Sequence, residues 1–541
     1  MTFSTTQKIA KLKTYFLMRK DIIGGLCIIS AISLLYFFSL KETFTYGNDF
    51  SWQDFWQDDY LHHVIYFSFF QAFLSSLLSI ILGFLFARAF FYQKFKGKHL
   101  VLKLFSLTFV LPALVAIFGL MGIYGHSGWI AQAIKFIGLN LEWDFYGLTG
   151  ILIAHLFFNI PLASRMFLQS LQSIPHQQRQ LAAQLNVRGW QFIRLIEFPY
   201  IKQQLLPTFI LIFMLCFTSF TIVLTLGGGP KYTTLEVAIY QAIFFDFDLT
   251  KAALFALLQF IFCFLLFTGA SFFSKAPNTS LHNKKLWIDK QSKVTQIWQQ
   301  FFILLIVCFI SLPLLNTIIT ALNSDALLSS WQNSQLWKAL GYSLALAPSS
   351  AILSVISAMA LLYLSRRLNW LQQHLLANSL LNIGMIILAI PTLVLALGLF
   401  LLLREIDVNT LDLFIIVMLC NALAALPFVI RVLNIPMNNN MQFYEKLCQS
   451  LGITGWQRLK IIEWYNLKYP IKYAFALACT LSLGDFTAIA LFGNQDFTSL
   501  PQLLYQQLAS YQIPAASVTA LLLLLFCAFV FYLVDDLNDK N

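Results

Sequence analysis

Twelve long apolar runs dominate this chain of 541 residues, and each is close to the length a helix needs to cross a bilayer. In the first half they are Ile22–Leu40, Ile65–Phe91, Leu102–Tyr124, Leu148–Leu168, Leu205–Leu226 and Ala252–Phe273. In the second half they are Phe301–Thr320, Leu340–Leu364, Leu380–Leu403, Leu411–Val432, Ile471–Phe492 and Val518–Val534. A spanning helix takes ~20 predominantly apolar residues. The composition agrees: only 11% of residues are charged, against roughly 25% in soluble domains. The sequence therefore predicts an all-α polytopic membrane protein of about twelve transmembrane helices, six per half.

Basic residues alternate between connections. Lys8, Lys11, Lys13, Arg19 and Lys20 precede the first run, and the next connection has Lys41 but five acids. Arg88, Lys94, Lys96, Lys98 and Lys103 come next, and later Lys275, Lys284, Lys285, Lys290, Lys293, Arg366 and Arg367. Basic loops stay in the cytoplasm, which places both termini there. The net charge of +11 is spread over these loops and reads as orientation and attraction to anionic lipid, with no nucleic-acid partner. The N-terminal apolar run is longer than a signal peptide's and reads as a retained helix. The eight cysteines show no CxxC spacing, and seven lie in apolar runs, which indicates core packing over a disulfide or metal framework.

The two halves repeat one another. Gln180 to Pro199 and Lys446 to Tyr465 align at an offset of 266 (455 − 189), with identity at Leu181/Leu447, Leu185/Leu451, Gly189/Gly455, Trp190/Trp456, Gln191/Gln457, Ile196/Ile462, Glu197/Glu463 and Lys202/Lys468. Pro161/Pro427, Arg165/Arg431, Phe220/Phe486 and Gly227/Gly493 keep that offset, and Leu111–Leu120 resembles Ile390–Leu399 around Pro112/Pro391 and Gly119/Gly398. Such a duplication fixes the organisation before any other fold argument. It gives a first half 1–273 with a cytoplasmic segment 175–202, a linker 274–300, and a second half 301–541 with its segment 441–468. An even number of spans per half makes the repeats parallel, related by a pseudo-two-fold axis along the membrane normal.

The repeated cytoplasmic segments are too polar to cross and too patterned for a slack loop. Pro175 suits the first turn of a helix. Leu181 with Leu185, and Leu447 with Leu451, fall on one helical face. Asn186 and Gly452, the residue types that most readily adopt positive φ, then end that helix, and a second short helix follows Gly189 and Gly455, beginning with Trp190 and Trp456. These leucines and tryptophans could pack on their own membrane helices. Two copies on the same side favour a partner protein bound twice.

These segments resemble the coupling motif (Glu-Ala-Ala, then Gly, then Ile-x-Leu-Pro) of the inner-membrane permeases of ATP-binding-cassette importers. Gln180 and Lys446 replace its Glu, Leu181 and Leu447 its first Ala, and only the first copy keeps the terminal proline, Pro199. Gly227–Ala242 and Gly484–Leu508 resemble the fused, two-half permeases of bacterial thiamine importers. The resemblance implies a non-enzymatic inner-membrane subunit that moves thiamine, or its phosphates, into the cytoplasm. It implies two ATPase copies carrying the ATP and Mg, a periplasmic binding protein, and no cofactor or metal in this chain. It assigns ATPase coupling to Gln180, Leu181, Leu185, Asn186, Gly189, Trp190, Glu197, Lys446, Leu447, Leu451, Gly452, Gly455, Trp456 and Glu463.

The chain has no G-x-x-x-x-G-K-[ST] loop and no clustered His/Cys or nucleophile motif, and Gly227-Gly228-Gly229-Pro230 reads as a turn. A path along the axis draws on Pro112, Gly119, Phe220, Pro391, Gly398, Asp485 and Phe486. Asp485 has two readings, a contact for a cationic substrate or a bond to a neighbouring helix at a kink. His155 reads as an interhelical hydrogen-bonding residue. Ionisable residues are otherwise scarce in the spans, which disfavours an ion-coupled twelve-span carrier. No polar residues converge at one depth as a membrane enzyme would require. An importer permease for another solute, such as ferric iron, stays open.

Overall fold

The computed structural model describes residues 20–47, 57–138, 144–273, 292–370, 372–385, 390–404, 407–453, 455–494 and 496–538. Most of the linker 274–300 thus lies outside the described residues, which are helical throughout their regular structure and contain no strand. The first half begins with α1 (Lys20–Gly47), α2 (Asp59–Tyr92), α3 (Lys98–Val110), α4 (Ala113–Tyr124), α5 (Trp129–Phe136) and α6 (Leu148–Gln172). Next come α7 (His176–Gln184), α8 (Gly189–Phe192), α9 (Phe198–Phe217), α10 (Phe220–Leu226), α11 (Leu235–Phe244) and α12 (Leu249–Phe273). The second half holds α13 (Lys293–Leu322), α14 (Ala326–Ser330), α15 (Ser334–Trp370), α16 (His374–Gly384), α17 (Thr392–Leu403) and α18 (Thr410–Ser450). It closes with α19 (Gly455–Arg458), α20 (Trp464–Gly484), α21 (Thr487–Phe492), α22 (Leu500–Ala509) and α23 (Ile513–Asn538).

Eleven helices among the described residues are long and apolar enough to cross a membrane, where the sequence predicts twelve. The expected ninth span, Leu380–Leu403, is divided into α16 and α17 of 11 and 12 residues, each too short alone. Pro391 stands just before α17; proline has no N–H to donate and pushes its predecessor out of the helical region. Pro112 does the same between α3 and α4, where Leu111 is extended with ψ 133°. The fifth spans are broken at equivalent positions, Ser219 between α9 and α10 and Asp485 between α20 and α21. Gly119 to Pro161 spans 42 positions (161 − 119) and Gly398 to Pro427 spans 29 (427 − 398), so the first half has 13 more residues here, and α5 forms in this stretch, in the connection Gly125–Gly147.

Packing in lipid comes from close backbone approach, because apolar side chains gain little by leaving one apolar medium for another. On α2, Ser68, Ala72, Ser75, Ser76, Ser79 and Gly83 are buried, and a Cβ on Gly83 would fall 2.5 Å from that of Ala163 on α6. Ser75 Oγ lies 2.9 Å from His155 Nδ1, so His155 ties α6 to α2 as its position suggested.

The chain divides into two compact units that regroup the sequence halves. One comprises Gly47–Ser334 with Leu503–Leu524, the other Met1–Tyr46, Gln335–Gln502 and Leu525–Asn541. The first helix of each half therefore packs inside the unit built mainly from the other half. In one unit α13 crosses α4 at Gly119, where a Cβ would lie 2.3 Å from Pro313 O. In the other, α1 crosses α17 at Gly398, where a Cβ would lie 2.4 Å from Ser39 O, and Ser39 Oγ donates to Leu395 O at 3.1 Å. Aligned glycines make both crossings.

Candidate functional site

In each half the fourth span leads into a helical segment whose termination follows from its sequence. In the first copy Leu185 N donates to Leu181 O (3.0 Å), Asn186 N to Ala183 O (3.1 Å) and Val187 N to Ala182 O (2.9 Å). In the second, Leu451 N donates to Leu447 O (3.0 Å) and Ile453 N to Cys448 O (2.9 Å). The bond spanning five residues back, closed by a left-handed residue, is a Schellman ending. Asn186 and Gly452 hold that position with φ of 53° and 65°.

The copies differ in how they begin. Pro175 separates α7 from α6 in the first. The aligned residue of the second is Met441, and the expected separate helix is there continuous with the fourth span as the 41-residue α18, despite Pro427 and Pro436 within it.

After the turn, α8 and α19 pass into five-residue π-helical turns at Ile193–Glu197 and Leu459–Glu463, also aligned, and then into the fifth spans. A π turn inserts one residue into the helical ladder and re-aims the side chains beyond it. Here it separates two faces. Leu181, Leu185, Trp190 and Leu195 are exposed in the first copy, Trp190 to 73%. Leu447, Leu451 and Ile461 are exposed in the second, Leu451 to 63%. The Trp456 side chain and Gly455 lie outside the residues whose surroundings are described. Gln180 and Lys446 are exposed beside these leucines, and Gly189 takes φ 58° with open space around it.

Glu197 and Glu463 do not belong to that face: both are buried. Arg88 Nε donates to Glu197 Oε2 at 2.9 Å and Tyr92 Oη to Glu197 Oε1 at 2.5 Å. Arg179 Nη1 donates to Tyr92 Oη at 3.0 Å and Nη2 to Leu171 O at 2.7 Å, with the guanidinium over Phe91. In the second copy Arg366 grips Glu463 with both nitrogens (2.7 and 3.1 Å), joined by Arg458 Nε (3.1 Å) and Asn440 Nδ2 (3.1 Å). Glu445, also buried, takes Arg367 Nη1 at 2.5 Å and is paired with Arg458 Nη1. Removing one partner of such a buried pair costs about 3–5 kcal/mol, since the other charge stays uncompensated.

The sequence singled out Glu197 and Glu463 but not their partners. Arg88, Arg366 and Arg367 stood there only as orientation signals, and Arg179 and Glu445 occupy aligned positions with opposite charge.

The path residues are distributed between breaks and crossings. Pro112 and Pro391 precede α4 and α17, and Gly119 and Gly398 face crossing helices. Phe220 and Phe486, each 2% exposed, follow the fifth-span breaks. Within each unit these pieces adjoin, α10 with α4 and α21 with α17. Asp485 Oδ1 accepts from Thr487 N at 2.9 Å. With its amide turned to donate, Asn421 of α18 reaches Asp485 Oδ2 at 2.9 Å and accepts from Ser482 Oγ at 3.0 Å. Asp485 is therefore bonded to a neighbouring helix at a kink. Among the described residues no group of three His, Cys, Asp or Glu could hold a metal.

Comparison with known proteins gives the same duplication. The family described as binding-protein-dependent transport system inner membrane component matches at residues 79–276 and again at 371–541. The thiamine transport system permease protein ThiP of Haemophilus influenzae is 59% identical over 518 residues, 96% of each chain. Its namesakes from Escherichia coli and Brucella abortus are 45% and 38% identical, covering 84% and 83% of this chain and 85% and 82% of theirs.

Proposed function

We propose, from the premise that this chain belongs to the family of inner membrane components of binding-protein-dependent transport systems, that it is the permease subunit of an ATP-driven thiamine importer. Thiamine, with its phosphates as further candidates, comes from the names of relatives that match over nearly the whole chain. The protein crosses the inner membrane many times with both termini in the cytoplasm. It receives substrate from a periplasmic binding protein and catalyses no reaction itself; ATP and Mg belong to two copies of a separate ATPase.

The observation that carries this reading is the pair of exposed apolar helix–turn–helix segments on the basic side, matched in Schellman ending and π turn. An exposed apolar patch of this kind marks a partner surface. One segment seats one ATPase, so one chain binds two. Leu185→Asp with Leu451→Asp should place a carboxylate in each contact and abolish co-purification of the ATPase from membranes in which the permease is still inserted. Undiminished co-purification of both ATPase copies with the double variant would refute the assignment.

A further inference from the structure

Both docking segments are fastened to the membrane helices by buried charge, and the two fastenings are built differently at equivalent positions. The second spans align at an offset of 275 (343 − 68), set by matching bonds: Leu235 N donates to Ser68 Oγ at 3.0 Å and Leu500 N to Ser343 Oγ at 2.8 Å. At that offset Tyr92 corresponds to Arg367 and Arg88 to Tyr363. The docking helices align at 266, so Arg179 corresponds to Glu445. The bond Arg179–Tyr92 of the first copy is thus Glu445–Arg367 in the second: the same bridge between docking helix and second span, with donor and acceptor exchanged.

The bridges differ in strength. In the first copy one carboxylate, Glu197, holds Arg88 and Tyr92, and Arg179 reaches a phenol, a carbonyl and an aromatic face. In the second copy two carboxylates and three arginines close a network. Arg458, on the short helix after the turn, bonds both Glu445 before the turn and Glu463 at the end of the π turn, and Arg366 and Arg367 join these to the second span. Charge-assisted, bidentate bonds are roughly twice as strong as neutral ones and fix orientation. Both links from the second segment to its second span are carboxylate–guanidinium pairs cross-linked by Arg458, whereas in the first only Glu197–Arg88 pairs opposite charges and Arg179 reaches a phenol; the second segment is therefore held more firmly to its membrane helices.

We infer that Glu463 and Glu197 are positioning residues that transmit displacement of each docking segment to the second and fifth spans, and that the two couplings are unequal, the Glu463 network being the stiffer. This rests on the ATPase-docking reading above.

The test uses the complete complex in proteoliposomes, with thiamine and the binding protein as probe, and reads thiamine transported per ATP hydrolysed together with ATPase co-purification. Glu463→Gln keeps the shape and removes the charge; transport per ATP should fall at least about tenfold with ATPase still bound. Glu197→Gln should lower it by only about two- to threefold, and Glu463→Asp should recover most of the ratio because the charge returns. Arg458→Lys retains charge but cannot bridge both carboxylates, and serves where Glu463→Gln fails to assemble; it too should lower the ratio. An unaltered ratio in assembled Glu463→Gln or Arg458→Lys complexes would overturn the inference, as would equal losses in Glu463→Gln and Glu197→Gln. Absence of ATPase from the unsubstituted complex would instead refute the docking reading.

Discussion

Gly452→Val isolates a single physical effect at the docking turn. Gly452 has φ 65°, and a Cβ built on it meets no atom within 4 Å. A Cβ there therefore clashes with nothing, and the penalty comes chiefly from holding an L-residue in the left-handed region. That penalty is about 1–2 kcal/mol, and a β-branched residue is a clear outlier there. Since 1.4 kcal/mol is tenfold, the turn that closes Ile453 N onto Cys448 O should be populated roughly 5- to 30-fold less. Affinity for the ATPase, measured by titrating purified ATPase onto the permease in nanodiscs, should weaken by the same factor, while the membrane spans keep their thermal stability. Gly452→Asn should bind nearly normally, because Asn186 already occupies the aligned position at φ 53°. Equal affinity of the Val and Asn variants would refute the argument that backbone handedness sets this turn.

Two further perturbations address the membrane part. Gly398→Val should lower stability by about 1–3 kcal/mol through overpacking, because its Cβ would meet the Ser39 backbone. Gly24→Val, with open space around it, should not; equal melting temperatures would contradict the crossing. Asp485→Ala removes the acceptor for Thr487 N and an interhelical bond and should destabilise by about 1–3 kcal/mol, whereas Asp485→Asn keeps an acceptor for Thr487 N. Loss of transport in a fully stable Asp485→Ala protein would instead assign Asp485 to the substrate.

The spans, the repeat and the docking turns were legible because each rests on local pattern: apolar length, a constant offset, and a residue type suited to positive φ. The exchange of first helices was not. Gly119 meets Pro313 and Gly398 meets Ser39, and nothing in the periodicity of either helix names a partner so far along the chain. The divided ninth span was partly visible in Pro391, but hydropathy alone runs across the break. The polar fastenings escaped for a different reason. Aligned positions carry Arg179 and Glu445, or Tyr92 and Arg367, so a search for identity passes over them although the geometry is kept. Continuity of α18 through the second docking helix follows from Met441 standing where the first copy has Pro175.

The central claim is that this chain moves thiamine only when ATP is hydrolysed by a bound partner. The most direct measurement is uptake of labelled thiamine into proteoliposomes containing the permease, its ATPase and the binding protein. The account predicts uptake against a gradient that needs all three proteins and enclosed ATP, and that persists when proton and sodium gradients are collapsed. Uptake by the permease alone, or uptake abolished by collapsing those gradients with ATP present, would contradict it.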